Sequence, residues 1–236
     1  MKKSETIHAG HRQRLKKRFL DEGLEHFDEH QVLELLLFYC IPRQDTHPIA
    51  HDLLTHFGSL AQVMEAPVSE LAKIPGMGEN AAMFLSLLNA FFRYYQVHRN
   101  ISGTILSTIE QCGAYLMPFF YGRPNETVYL LCLDAKCKVL SCKEVGEGSI
   151  NSAAIPTRRI VEMALSANAT SAVLAHNHPS GLAIPSAEDQ LTTRQLAVAL
   201  HAVDIELVDH IVVADDDFVS LRQSGYYNPD NCRLTV

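Results

Sequence analysis

"SAVLAHNHPSGLAIPSAED", residues 171–189, is the stretch whose reading decides the fold. A run of small and β-forming apolar residues ends in two histidines one residue apart, a Pro-Ser-Gly turn follows, and Ser186 and Asp189 then stand three residues apart. A buried strand, a turn and a helix start account for that order. Side chains on a strand alternate between faces, so His176 and His178 project to the same side. Residues i and i+3 share a helix face, which sets Ser186 beside Asp189 and lets Asp189 swing back towards the two rings. Two imidazoles and a carboxylate leave the fourth tetrahedral position to water, the arrangement of a catalytic rather than a structural zinc. Each part also has a plain structural reading: Ser186 with Asp189 is close to a capping box, and a lone His-x-His can be satisfied by backbone carbonyls. The combination in this order is what points to a metal.

Working outward, "STIEQCGAYLMPFF" reads as a helix and "ETVYLLCLDAKCKVLSCKEVG" as two strands turning near Asp134 to Lys136. "PTRRIVEMALSAN" and "SAEDQLTTRQLAVALHAV" read as helices, and "IELVDHIVVADDDFVSL" as two strands with an acidic turn. Strands alternating with helices imply an α/β or α+β domain around a sheet over 101–236. Upstream, apolar residues recur at helical spacing between the breakers Pro42, Pro48, Gly58 and Pro67, predicting an all-helical domain over 21–100, with a linker at "NISGT". The whole is therefore expected to be α+β, a helical domain followed by a sheet domain.

Of the chain's 236 residues 47% are hydrophobic and 20% charged, which excludes disorder and places it among ordinary folded proteins. No segment has the length of a membrane span, and no apolar run follows the first lysines, so a cytoplasmic protein with no membrane partner is expected. The six cysteines are scattered and match no zinc ribbon, so reduced thiols are expected. A net charge of -7 hides a basic arm: residues 1–20 hold seven Lys/Arg against the single Glu5. Neither body has the footprint of a strong nucleic-acid binder, with four basic and eleven acidic side chains over 21–100 and nine and fifteen over 101–236.

His-x-His, seven residues (Pro179 to Pro185), Ser, two residues, Asp resembles the JAMM (MPN+) motif of zinc metalloproteases and isopeptidases. "HNHPSG", "LVDHIVV" and "FVSLRQSGY", with "HRQRLKKRF", "LELLLFYCIPR" and "IPGMGENAA", are similar to the bacterial RadC family, which joins a helical region to an MPN domain. The resemblance implies a zinc hydrolase acting on a protein or peptide, with His176, His178 and Asp189 on the metal. It also implies an upstream glutamate that holds and deprotonates the zinc-bound water. Glu126, which opens "ETVYLLCLD", is the choice, with Glu144 and Glu147 as fallbacks. Ser186 would donate to the oxyanion. Asn177 should face the other side of the strand and satisfy backbone groups. Asp209 and His210 read either as a pair behind the ligands or as a buried polar pair at a strand entrance. One departure lies in "IPTRRIVEMAL", where Thr157, Arg158 and Arg159 stand in place of the family's Pro-Arg-Glu.

An alternative function lies in "LAKIPGMGENAAMFL", which resembles a helix-hairpin-helix. Gly76 and Gly78 would let backbone amides approach a DNA phosphate, with Lys73 the nearby cation, and the MPN domain would then be a scaffold for a repair accessory protein. Glu79 and Asn80 follow Gly78 where binders often carry Lys or Arg, so the hairpin also reads as a packing element. The ligand pattern favours the enzyme. The letters "HNH" do not make the nuclease of that name, and the His-x-Glu of a zinc deaminase does not occur.

Overall fold

Leu33 and Leu37 on one helix, and Ile49, Ala50 and Leu53 on the next, lose nearly all contact with solvent and form the interior of the first of two units. The computed structural model describes residues 4–99, 103–148 and 156–232, and the chain divides into Met1–Phe92 and Arg93–Val236. In the first unit lie α1 (Ser4–Glu22), α2 (Glu29–Cys40), α3 (His47–Phe57), α4 (Leu60–Glu65), α5 (Val68–Leu71) and α6 (Gly78–Arg99), whose C-terminal end belongs to the second. The division falls inside α6 rather than at "NISGT", because Arg93 donates to Tyr121 O at 2.9 Å and Val97 packs on the second unit's core; residues 100–102 of that linker lie outside those described.

From Ser4 the basic segment is helical and is docked on the unit, residues 1–3 lying outside those described. Leu15 packs with Leu35 and Phe38, and the Arg12 guanidinium donates to the carbonyls of Ile41, at 2.8 Å, and Gln44. Arg18 donates to Gln31 and to the carbonyl of His26. Two of its arginines are thus committed to ending α2 and closing the α1–α2 turn. The hairpin is likewise a packed turn: Lys73 is ion-paired with Glu70 at 2.7 Å, and Gly76 has φ +87°.

The second unit, from α7 (Ile109–Leu116) onward, contains β1 (Thr127–Leu133), β2 (Val139–Glu147), α8 (Thr157–Ser166), β3 (Ser171–Asn177), α9 (Ala187–His201), β4 (Glu206–Ala214) and β5 (Asp217–Ser220). They form a mixed sheet of order β2-β1-β3-β4-β5, in which only β3 and β4 run parallel. A parallel pair needs a crossover, and α9 supplies it. Period-two alternation splits the sheet's side chains between two cores. Val128, Leu130, Ala172, Leu174 and Val212 face α8 and α9, whereas Tyr129, Leu131, Val173, Ala175, Ile211 and Val213 face α7. Both faces are covered, which is why β1 and β3 read as continuous apolar runs. The expected α+β architecture and element order are therefore present, down to the Asp134 turn, where the Asp134 carboxylate accepts from the amides of Lys136 and Lys138. Cys40, Cys112, Cys132, Cys137 and Cys142 are free thiols, and no helix among the described residues is long and apolar enough to cross a membrane.

A Cβ at residue 76 would lie 2.8 Å from Ile49 Cδ1, and its backbone is left-handed. Gly76→Ala is expected to cost about 1–2 kcal/mol from the backbone alone, with the Ile49 contact adding to it. Thermal or urea denaturation checks this. An unchanged midpoint would mean the turn is not a packing element.

Candidate metal centre

β3 ends at Asn177, and His178 continues its line by donating its backbone N–H to Val213 O at 2.8 Å. His176 shares the face of Ala172 and Leu174, so it points into the layer that contains α9. The turn after it closes with Gly181 N donating to His178 O at 3.1 Å, and Gly181, at φ +79°, adopts a conformation that favours glycine. Ser186 is the N-cap of α9 in a full capping box: its hydroxyl accepts from Asp189 N at 3.0 Å. Asp189 Oδ2 accepts from Ser186 N at 2.8 Å and from Ser186 Oγ at 2.7 Å. With Oδ2 held twice, Oδ1 is left 3.5 Å from His176 Nε2.

Glu126 enters from the start of β1, its Oε1 3.8 Å from His176 Nε2. Donor atoms of Glu126, His176, His178 and Asp189 all lie within 4.8 Å of one another. The fallbacks are elsewhere: Glu144 and Glu147 pair with Arg123 at 2.7 and 3.3 Å. Asn177 faces the opposite side, as expected, and holds the glutamate in place. Its Oδ1 accepts from Thr127 N at 2.8 Å and its Nδ2 donates to Asn125 O at 3.3 Å, so it grips the backbone on both sides of Glu126. Burial, then the Asp189 carboxylate, push the Glu126 carboxyl above its ordinary value, with His178 opposing.

The protons in this cluster can be assigned one by one. Thr193, one turn after Asp189, donates its only hydroxyl proton to Asp189 O, so His210 Nδ1, 2.6 Å from Thr193 Oγ1, must donate to that hydroxyl oxygen. His210 is fully buried, and burial, then His176 and His178, drive its basicity well down, so the ring is neutral and Nε2 is a bare acceptor. His176 Nδ1, 2.8 Å away, therefore carries a proton, and its Nε2 has a free lone pair. Burial above all pushes His176 down to about 4, despite Asp189, which keeps it neutral near pH 7. His178 Nδ1 faces the Leu182 carbonyl at 2.9 Å, which can only accept, so its Nε2 is also the open nitrogen. Two Nε2 lone pairs thus meet 2.9 Å apart beside two carboxylates. A single proton between the rings leaves the two negative charges half balanced; a dication balances both. The donor set, two nitrogens and carboxylate oxygen, is that of zinc.

Asp209 and His210 are not a side-chain pair. Adjacent strand residues face opposite ways, so Asp209 accepts from Ser220 Oγ, from Arg222 N at 3.0 Å and from the His210 amide at 2.7 Å, while the His210 ring alone backs the ligands. Thr193 and the weight of His210 escaped the sequence reading. The available signals were the i, i+4 step from Asp189 and the register that sets His210 across from Leu174, two residues before His176.

Residues 106–226 match the family model described as the RadC-like JAB domain. A UPF0758 protein of Fusobacterium nucleatum is 33% identical over 229 residues, covering 94% of this chain and 99% of its own length. One from Rhodobacter capsulatus is 33% identical over 211 residues, covering 89% and 99%. A third, from Paraburkholderia xenovorans, is 32% identical over 211 residues, covering 89% and 83%.

His210→Phe removes the acceptor that orients His176 and is expected to weaken zinc binding about 10–100-fold, with Thr193→Val acting in the same direction by a smaller factor. Competition titration against a zinc chelator checks this. Wild-type affinity in both variants would show that the ring behind His176 has no orienting role.

Proposed function

The chain belongs to the RadC family, with a RadC-like JAB domain, and from that premise we propose that it is a zinc-dependent hydrolase of peptide or isopeptide bonds. The observation that carries the reading is the convergence of His176, His178, Asp189 and Glu126 from three separate segments into one cluster. His176, His178 and Asp189 would hold the metal. Zinc bound there lowers the pKa of a water and polarises a scissile carbonyl.

The chain's own groups do the rest. Glu126 stands at the edge of the cluster with a quarter of its side chain exposed, placed to take a proton from water and return it to the leaving amine. Its raised carboxyl pKa moves it closer to the pH at which it would work. Ser186 positions Asp189 through the capping box; as an oxyanion donor it would have to turn its hydroxyl away from Asp189 Oδ2. Acidic surroundings support a peptide over a nucleic-acid linkage. A Cβ at Gly181 in the turn after the ligands would sit 3.1 Å from Asp215 Oδ2, in the acidic run Asp215 to Asp217, where a polyanion is repelled. Leu182 and Ile184, both well exposed in the same loop, offer apolar contact to a peptide chain.

With zinc-loaded protein and a panel of peptide and isopeptide substrates, Glu126→Gln is expected to keep its metal and lose about 10²–10⁴-fold in kcat/KM. The base must be ionised, so activity should rise with pH through an acidic limb lying above the usual glutamate value of 4.5. Ser186→Ala should cost about 0.5–2 kcal/mol of stability from the lost cap, and a further fall in kcat only if the hydroxyl also serves the oxyanion. Zinc-loaded wild type inert on the whole panel, or Glu126→Gln as active as wild type, would overturn the reading.

A further inference from the structure

A second cluster of side chains that could hold a metal ion lies in the first unit. His30 is in the first turn of α2, and His47 and His51 stand at i and i+4 on α3, the spacing that puts two rings on one helix face. Their donor nitrogens all lie within 4.8 Å of one another. The His30 and His51 rings stack with centroids 4.8 Å apart, and His47 meets His51 edge-on at 4.6 Å. The helices that carry them are clamped by Leu33, Leu37, Ile49, Ala50 and Leu53, so the rings converge on a rigid base.

A buried carboxylate lies against one of the three rings, that of His47. Glu34, one turn after His30, has a side chain 1% exposed, an unusual place for an acid in a small helical unit. Its Oε1 lies 2.8 Å from His11 Nε2 and its Oε2 3.5 Å from His47 Nδ1. A carboxylate behind one nitrogen of an imidazole fixes the tautomer and leaves the other nitrogen as the ligand, which is how ligating histidines are commonly supported. We propose that His30, His47 and His51 form a second metal site that takes a borderline divalent transition ion of the zinc, nickel or copper kind and ties α2 to α3, with Glu34 orienting His47.

Ligand chemistry sets the class of ion. Three imidazoles with no oxygen ligand suit these ions and give magnesium or calcium nothing to bind. Exposure of His47 and His51 leaves room for water to complete the coordination shell. The partial positive charges at the N-termini of α2 and α3 oppose a cation, but they are in contact with solvent that screens them, whereas Glu34 is a full charge withdrawn from it. Binding is expected to be weaker than at the JAB-domain cluster, which adds a carboxylate ligand and deeper burial.

Zinc titration of tag-free, full-length protein by calorimetry tests this independently of any hydrolytic activity. Wild type should take up two equivalents. His47→Ala/His51→Ala, altered at exposed positions, should lose only the weaker one, with an unchanged far-UV circular dichroism spectrum, and His30→Gln should weaken the same equivalent. His178→Ala should instead lose the tighter one. Identical stoichiometry and affinities in wild type and His47→Ala/His51→Ala would overturn the proposal, whatever His178→Ala shows about the first site.

Discussion

Two imidazole nitrogens, Nε2 of His176 and Nε2 of His178, are brought within 2.9 Å of each other beside two carboxylates, and the arrangement behind them depends on that close approach. The approach is built rather than incidental. It depends on a line of hydrogen bonds running from Asp189 O through Thr193 and His210 to His176, which turns His176 Nε2 towards the carboxylates, while the Leu182 carbonyl does the same for His178. Polar groups buried in this way are costly unless each is satisfied, and in this line of side chains the open nitrogen of His176 points into the cluster.

The sheet turns a linear motif into a site. Pairing of β1 with β3 sets Val128 opposite His176, which brings the start of β1, and with it Glu126, to the end of β3 where the histidines lie. Asn177, between the two ligands in sequence but on the opposite face, then pins the peptides on both sides of Glu126. One three-residue run thus supplies two imidazoles of the cluster from one face and the anchor for the glutamate from the other. Ser186 serves in a comparable double capacity, capping α9 and, through the same hydrogen bonds, aiming Asp189.

Much of this was legible in the sequence because it is written locally. Strand alternation put His176 and His178 on one side, the serine and the acid marked the start of α9, and continuous apolar runs marked strands covered on both faces. What was not legible depends on contacts across long separations. Resemblance selects Glu126, but the engagement of Glu144 and Glu147 by Arg123, more than 20 residues upstream of each, was not visible. The role of His210 requires a partner 34 residues away, and a dipeptide reading joined it to Asp209 although strand geometry sends the two to opposite faces. In the first unit, a basic segment reads from composition as a free arm, yet Arg12 and Arg18 are spent on the unit's own carbonyls. The histidines of α2 and α3 escaped because periodicity was read for its apolar positions alone.

The central claim is that the cluster is a metal site whose ligand nitrogens are both Nε2. An anomalous-difference map at the zinc edge, from crystals of full-length protein grown with zinc, tests it most directly. The account predicts a peak about 2.0–2.2 Å from His176 Nε2, His178 Nε2 and a carboxylate oxygen of Asp189. A map with no peak there, in crystals with zinc bound elsewhere on the protein, would contradict it.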